Sequence, residues 1–228
     1  VTQRDFSLEL ALKIFSSTGL SKTAKQIKTT IPTKKLSPAL KFFLDAKDDY
    51  IATIDGVMAF LQSKDSGLAS RIAKRTLLPE GPLFCQSMQN IEQARAQGFD
   101  PLVHAFGQLG IQDQAKYFAS LYIDDLAAVV REGIDPRFEL SRYGEKLAAS
   151  VPSFDALNAA LHTKTPTLLD EWLDELTTAM LKEEAPDVVA LTAPFPGNVY
   201  GAFRIAHIIK ENFPQVTTIF GGGYVNTE

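Results

Sequence analysis

The chain has 228 residues, 45% of them hydrophobic, and a formal net charge of −4, so it can bury a substantial core in one or two domains. Its 23 basic and 27 acidic residues give no strong cationic field, which argues against nucleic-acid binding. No apolar run is long enough to span a membrane and the first residues lack a signal-peptide pattern, so a cytoplasmic protein without membrane contact is expected.

A series of helices is predicted from residue 6 to residue 184. In the first, apolar residues recur at helical spacing from Phe6, and Gly19 is expected to close the helix as a left-handed cap. The second opens at Ser37-Pro38, an N-cap followed by a first-turn proline, and is predicted to run to residue 62.

The remaining apolar periodicities predict shorter helices over residues 68–75, 88–97, 112–132, 139–150, 153–161 and 167–184. The helices show no fixed repeat period, so a regular solenoid is not supported. We therefore predict a helical domain over residues 1–184, with residues 1–5 as a candidate strand end belonging to an α/β part.

The pattern changes after residue 185. Residues 188–193 form a short, continuous apolar and β-branched run, typical of a strand buried on both faces. A helical pattern follows from residue 198, and residues 216–220 form a second strand. This order predicts two parallel, adjacent strands joined by a right-handed crossover. The predicted fold class is mainly α with a small α/β part, in which residues 185–228 form an incomplete Rossmann-like βαβ unit.

Both predicted strands end in residues that permit close approach of a ligand. In open parallel sheets, ligands bind outside the carboxyl ends of the strands. Glycine exposes backbone to a ligand, and the start of the next helix offers unpaired N–H groups. The candidate cofactor-binding residues are Pro194, Phe195, Pro196, Gly197, Asn198, Gly221, Gly222 and Gly223. Alternatively, the glycines only turn the chain and the prolines only set a tight loop; a dinucleotide fingerprint and a P-loop are both missing from the sequence.

Residues 185–228, APDVVALTAPFPGNVYGAFRIAHIIKENFPQVTTIFGGGYVNTE, closely resemble the cobalamin-binding-like domain at the front of bacterial radical S-adenosylmethionine proteins. In those proteins a PFPGN…YGA loop and helix precede a strand that ends in GGG…NTE. Residues 1–20 look like the point where an opening strand passes into the first helix, and SRYGEKLA at 141–148 is a looser match. The resemblance implies an N-terminal fragment of a longer bacterial enzyme, with a helical insertion.

The resemblance implies cofactors for the parent protein and none for the fragment itself. Whether the parent binds cobalamin stays open; if it does, it binds the cofactor without a lower histidine ligand, because the sequence contains no D-x-H-x-x-G. The 4Fe–4S cluster and S-adenosylmethionine belong to a C-terminal part that carries the C-x-x-x-C-x-x-C motif, which this sequence lacks. We expect no catalytic residue and no metal site in the fragment, and its partner is the radical S-adenosylmethionine domain of the same chain. The small-molecule substrate stays open.

Other chemically active side chains are expected to be structural. His104, His162 and His207 are predicted to be packed rather than ligating, since no histidine lies in a metal-binding motif. The acids of DEWLDEL, residues 170–176, pair at i,i+4, but the apolar stripe of the same helix places them on its solvated face. Cys85, the only cysteine, is predicted to be a small buried hydrophobe.

Two functional hypotheses remain. In the first, the chain is the noncatalytic accessory region of a radical S-adenosylmethionine enzyme, and its helical insertion covers the cofactor or substrate crevice. In the second, it is a helical protein-interaction module whose βαβ unit is purely structural and binds no cofactor.

Overall fold

The computed structural model describes residues 1–106, 110–140 and 154–227. Within these residues the chain forms twelve α-helices, one 3-10 helix and one two-stranded parallel sheet. The predicted class, mainly α with a small α/β part, is confirmed. The chain divides into two compact units: Leu12–Ile134 is one, and Val1–Ala11 together with Asp135–Glu228 is the other. The helices of residues 155–184 thus group with the βαβ segment.

The unit Leu12–Ile134 is built around one long helix. Its elements are the end of α1 (Phe6–Ile14), α2 (Ser17–Thr30), a 3-10 turn (Thr33–Lys35), α3 (Pro38–Asp45), α4 (Lys47–Leu61), α5 (Ala69–Ala73), α6 (Pro82–Ala96), α7 (Pro101–Phe106) and α8 (Ile111–Gly133). Helix α8 packs against α3, α5 and α6. It buries a continuous stripe that includes Phe118, Tyr122 and Leu126, so the helical periodicity predicted for residues 112–132 is confirmed.

The helix predicted over residues 37–62 is two helices. Helix α3 ends at Asp45 and α4 begins at Lys47, with Ala46 between them at φ −96° and ψ 16°. The break allows Phe43 and Tyr50 both to be fully buried, with ring centroids 5.6 Å apart. Burial of two large aromatic rings outweighs the regularity of one straight helix.

The predicted left-handed cap at Gly19 is wrong. Gly19 lies in the first turn of α2, where its amide donates to the hydroxyl of the N-cap Ser16 at 3.0 Å. A Cβ at this position would collide with the carbonyl oxygens of Lys13 and Ile14. Glycine is therefore needed because α2 passes close to the end of α1, not because the backbone turns left-handed.

Helix α6 begins at Pro82 rather than at residue 88. The carboxylate of Asp125, in α8, accepts a hydrogen bond of 2.8 Å from the Leu83 amide. It also lies against Gly81, where a Cβ would come within 2.6 Å of it. An aspartate 42 residues away therefore satisfies the first amides of α6. At the other end Gly98 has a φ of 83°, as the predicted helix end requires.

The second unit contains the βαβ segment. Its elements after residue 135 are α9 (Asp155–Leu161), α10 (Leu168–Glu184), β1 (Val188–Thr192), α11 (Pro196–Asn212), β2 (Thr217–Gly221) and α12 (Gly223–Thr227). Residues 1–5 carry no regular secondary structure. Most of the helix predicted at 139–150, and the whole match at 141–148, lie outside the described residues.

Strands β1 and β2 are parallel and adjacent, with Val188 opposite Thr217 and Thr192 opposite Gly221. The predicted pairing is therefore confirmed, and α11 forms the crossover between the strands. On one face, Val189 and Leu191 pack against the apolar cluster formed by α10 and α11. On the other face, Val188 is 51% exposed, so β1 is buried on one face and not on both as predicted.

Candidate functional site

The carboxyl ends of β1 and β2 bring the two candidate segments together. The Ala193 amide donates to the Gly221 carbonyl at 2.8 Å, and the Tyr224 amide donates to the Ala193 carbonyl at 3.2 Å. A Cβ at Gly223 would lie 3.2 Å from the Pro194 carbonyl oxygen. Residues 194–198 and 221–223 therefore form one edge, here called the rim, as a parallel crossover predicts. A ligand role for the rim stays a prediction.

The start of α11 forms the outer part of the rim. Phe195 is the N-cap residue and Pro196 lies in the first turn. The Phe195 side chain is 69% exposed, and Pro194 and Gly223 are exposed as well, whereas Gly197 is buried. The rim thus presents backbone groups and one solvent-exposed aromatic ring.

Gly221 and Gly222 differ in whether the structure requires a glycine at that position. Gly222 has a φ of +112°, which L side chains rarely adopt, and a Cβ there would lie 2.6 Å from the Ala193 carbonyl oxygen. Backbone packing alone therefore requires glycine at position 222. A Cβ at Gly221 would meet open space, so the described chain places no steric demand for glycine at that position.

An apolar cluster lies next to the rim. It consists of Ala193, Val199 and Tyr200 together with Leu157 and Leu161 of α9. The partly buried side chains that pack against it are those of Ala160, Phe203, Phe220 and Tyr224. We call these nine residues the strand-end cluster. Because the two leucines are buried in it, α9 packs against the strand-end cluster.

A buried network of carboxylates and arginines surrounds the first turns of α11. Arg137 donates through Nε and Nη2 to the Asp135 carboxylate, at 2.8 and 2.6 Å. The same Nη2 lies 3.2 Å from Oδ2 of Asp170. The Arg137 guanidinium also lies over the Tyr200 ring, 4.5 Å from its centroid, a cation–π distance.

The network continues from Asp170 into α11. The Tyr200 hydroxyl donates to Oδ1 of Asp170 at 2.6 Å. Arg204 donates to both oxygens of Asp174, at 2.7 and 2.6 Å, in a bidentate pair. We call the residues Asp135, Arg137, Asp170, Asp174, Tyr200 and Arg204 the Asp–Arg network. It ties α10 and α11 together beneath the rim.

The predicted solvated face of α10 is wrong for its first acid. Asp170 is only 1% exposed, and Asp174 is half-buried against Arg204, whereas Glu171 and Glu175 are exposed as expected. One local signal points to Asp170: it forms a capping box with Thr167, each side chain bonding the backbone amide of the other. The partners Arg137 and Tyr200 carry no such local signal.

The network keeps Asp170 and Tyr200 in their ordinary ionisation states. Burial by itself raises the pKa of Asp170, but hydrogen bonds from Tyr200 and the Thr167 amide, with the nearby Arg204 and Arg137, hold it below its usual value. Burial and the Asp170 carboxylate raise the pKa of Tyr200. A carboxylate that stays ionised beside a phenol that stays protonated is suited to holding structure rather than to transferring protons.

The histidines and the cysteine differ from their predictions in exposure. His207 is half-buried, 3.2 Å from Glu211. His104 and His162 are exposed, and each ring packs on one side against another ring, that of Phe99 at 5.2 Å and that of His207 at 4.9 Å. Cys85 is exposed as well, not buried. Partial burial and the carboxylates of Glu80 and Asp125 raise the pKa of its thiol, which disfavours the reactive thiolate.

Among the described residues, the histidine, cysteine and acidic side chains form no cluster of three or more that could hold a metal ion. In the same part of the chain, each helix is too short or too polar to cross a membrane. No protein-family model matches the chain, and comparison with curated proteins and with solved structures finds no significant match.

The rim can be compared with what a large cofactor needs. Its outer part, at Pro194, Phe195 and Gly223, is exposed and could contact a ligand. Its inner part is buried: Ala193 is 0% exposed and belongs to the same apolar cluster as Leu157 and Leu161. With α9 in this position, the exposed surface of the rim is limited to this outer part.

Proposed function

We propose that this chain is the noncatalytic N-terminal accessory region of a bacterial radical S-adenosylmethionine enzyme, a cobalamin-binding-like α/β domain with a helical insertion that covers the crevice. The observation that carries the proposal is the position of the two segments of the rim. The two segments that resemble the loops of that family lie side by side at the carboxyl ends of two parallel strands. Ligands of open parallel sheets bind at this position.

The exposed face of the sheet supports the same proposal. Val188 and Ile219 lie on this face, 51% and 55% exposed. Parallel sheets normally have both faces covered and contain more than two strands. We infer that other parts of the parent polypeptide, including its radical S-adenosylmethionine domain, are the partners that cover this face.

In this proposal the chain supplies one edge of the cobalamin site of the parent protein and takes no part in the chemistry. Residues 194–198 would contact the cofactor through the exposed loop and the first turn of α11, and residues 221–223 through their backbone. Cobalamin itself would supply radical or group-transfer chemistry, and the cluster and S-adenosylmethionine would be held by the other domain. Neither the substrate nor the reaction of the parent enzyme follows from these residues.

One observation favours the alternative, a helical interaction module with a purely structural βαβ unit. The Gly222 backbone approaches Ala193 so closely that glycine is required whether or not a ligand binds. The glycine-rich sequence alone therefore does not distinguish a binding edge from a tight turn.

The coding sequence that follows this segment tests whether the parent protein is a radical S-adenosylmethionine enzyme. An open reading frame that continues past the codon for Glu228 to a C-x-x-x-C-x-x-C motif supports the proposal, since three cysteines hold the cluster of such enzymes. A stop codon directly after Glu228 contradicts it and favours the interaction module.

A substitution at Gly221 tests the binding edge. Because a Cβ at Gly221 meets open space, Gly221→Val should leave the fold intact and place a branched side chain where a cofactor would approach. We expect it to weaken hydroxocobalamin binding by the full-length protein more than tenfold, about 1.4 kcal/mol. Lys164→Ala, at an exposed position between α9 and α10, is the control and should bind as wild type. Equal affinities for Gly221→Val and wild type, with unchanged circular dichroism, would show that the rim is not the binding edge.

A further inference from the structure

We propose that α9 is a displaceable cover, and that the strand-end cluster beneath it is a concealed extension of the rim that receives the apolar part of a ligand. The inference rests on the proposed ligand role of the rim and adds the element that must move. In the conformation described, Leu157 and Leu161 occupy the place that the ligand would take.

Helix α9 packs against its neighbours through apolar and aromatic contacts. It has seven residues, and an isolated helix of that length is not stable in water. Its two buried leucines pack into the strand-end cluster. Next to its two ends, the Phe154 ring lies 5.7 Å from that of Phe203, and the His162 ring lies 4.9 Å from that of His207. Both Phe154 and His162 are exposed, so both ring contacts border solvent.

The Tyr200 hydroxyl beneath α9 keeps its hydrogen-bond partner when α9 moves. The Tyr200 hydroxyl already donates to Asp170 at 2.6 Å, and this bond does not involve α9. Moving α9 therefore breaks no hydrogen bond of Tyr200. What it uncovers is an apolar and aromatic surface formed by Val199, Tyr200, Phe203, Phe220 and Tyr224.

The uncovered surface is continuous with the rim, because Ala193 belongs to the strand-end cluster and bonds the backbone of Gly221 and Tyr224. Ligand sites are mostly apolar concave surfaces with a few placed polar groups. A ligand with a flat or branched apolar portion would replace the apolar contacts of the two buried leucines with apolar contacts of its own. By binding only the open form, it would shift the population towards that form.

Hydrogen exchange measured by mass spectrometry or NMR tests the movement. In the wild-type protein, amides of residues 158–162 should exchange at least tenfold faster than those of residues 205–209 in α11, because α9 opens locally. The variant Leu157→Ala with Leu161→Ala should increase exchange in α9 at least tenfold further and leave α10 and α11 unchanged. The matched control is Leu181→Ala, which truncates a buried leucine of α10 in the cluster formed by α10 and α11. This variant should not increase amide exchange in α9 more than elsewhere in the unit. Equal protection of α9 and α11 in wild type overturns the proposal.

Hydroxocobalamin binding by the full-length protein tests the concealed surface. The variant that lacks both α9 leucines should bind at least tenfold tighter than wild type, because less of the protein is in the closed form. Equal affinity of the two proteins overturns the proposal that α9 conceals part of the site. Local opening of α9, with hydroxocobalamin bound by neither protein, supports the cover and contradicts the proposed cobalamin function.

Discussion

The Tyr200 hydroxyl donates to Oδ1 of Asp170 across 2.6 Å, which joins the first turns of the crossover helix α11 to the first turn of α10. The same tyrosine contributes its ring to the strand-end cluster. Tyr200 therefore connects the Asp–Arg network on one side with the apolar surface under α9 on the other.

Removing this hydroxyl should destabilise the unit that contains the sheet. Tyr200→Phe keeps the ring but leaves the buried Oδ1 of Asp170 with only a long hydrogen bond from Arg137, at 3.5 Å, and we expect a loss of about 1–3 kcal/mol in the free energy of unfolding. Trp172, the only tryptophan, is buried in α10, so its fluorescence during urea unfolding reports this unit. Tyr117→Phe, at a half-buried tyrosine of α8 in the unit Leu12–Ile134, should shift the transition reported by Trp172 by less than about 0.5 kcal/mol. Equal stability of Tyr200→Phe and wild type would contradict the proposed role.

Arg137 should be needed for stability because it neutralises buried carboxylates. Asp135 is fully buried, and Arg137→Gln removes the cation that makes a bidentate pair with it. Breaking a buried pair in this way costs about 3–5 kcal/mol, measured by the same Trp172 fluorescence. The control Lys210→Gln removes an equal charge from the exposed side of α11 and should have little effect. A loss no larger than that of the control would mean that water or another group solvates Asp135.

Asp125 should give the unit Leu12–Ile134 an unusual pH dependence. Burial raises the pKa of Asp125 to about 6, against the opposing effect of the Leu83 and Phe84 amides. A carboxyl whose pKa is higher in the folded than in the unfolded state stabilises the fold below the unfolded value, near 4, and this contribution is lost as the pH rises through 6.

The loss should be about 1–3 kcal/mol between pH 4 and pH 7. Urea unfolding followed by far-ultraviolet circular dichroism at both pH values measures it. Asp125→Asn should remove this part of the slope, whereas Asp113→Asn, at an exposed position of the same helix, should keep it. The same slope in wild type and Asp125→Asn would show that Asp125 does not titrate in this range.

The neighbouring glycines of the rim should respond oppositely to alanine. Gly222→Ala forces a Cβ into an unfavourable φ and into contact with Ala193, so we expect a loss of more than about 1 kcal/mol. Gly221→Ala meets open space and should be neutral or slightly stabilising. Both are measured by urea unfolding of the unit that contains Trp172. Equal effects of the two substitutions would contradict the described course of the rim.

The sequence by itself determined the features that depend on neighbours a few residues apart. The 3.6-residue periodicity of residues 112–132 predicted α8, and two β-branched runs around an amphipathic segment predicted the parallel pair β1 and β2. The adjacency of residues 194–198 and 221–223 also followed, because a right-handed crossover brings both carboxyl ends to one edge. In each case the pattern and its structural cause lie in the same stretch of chain.

Only the tertiary structure decided which polar groups are buried and which apolar surfaces are covered. Asp170 meets Tyr200 thirty residues further along the chain, and Asp125 caps a helix that begins about forty residues earlier. The break at Ala46 likewise depends on burial of aromatic rings rather than on local propensity. The free energy of burying a carboxylate depends on the donors that surround it in space. Helix periodicity identifies an apolar stripe, but it does not reveal an arginine or a tyrosine brought to the opposite face by the fold.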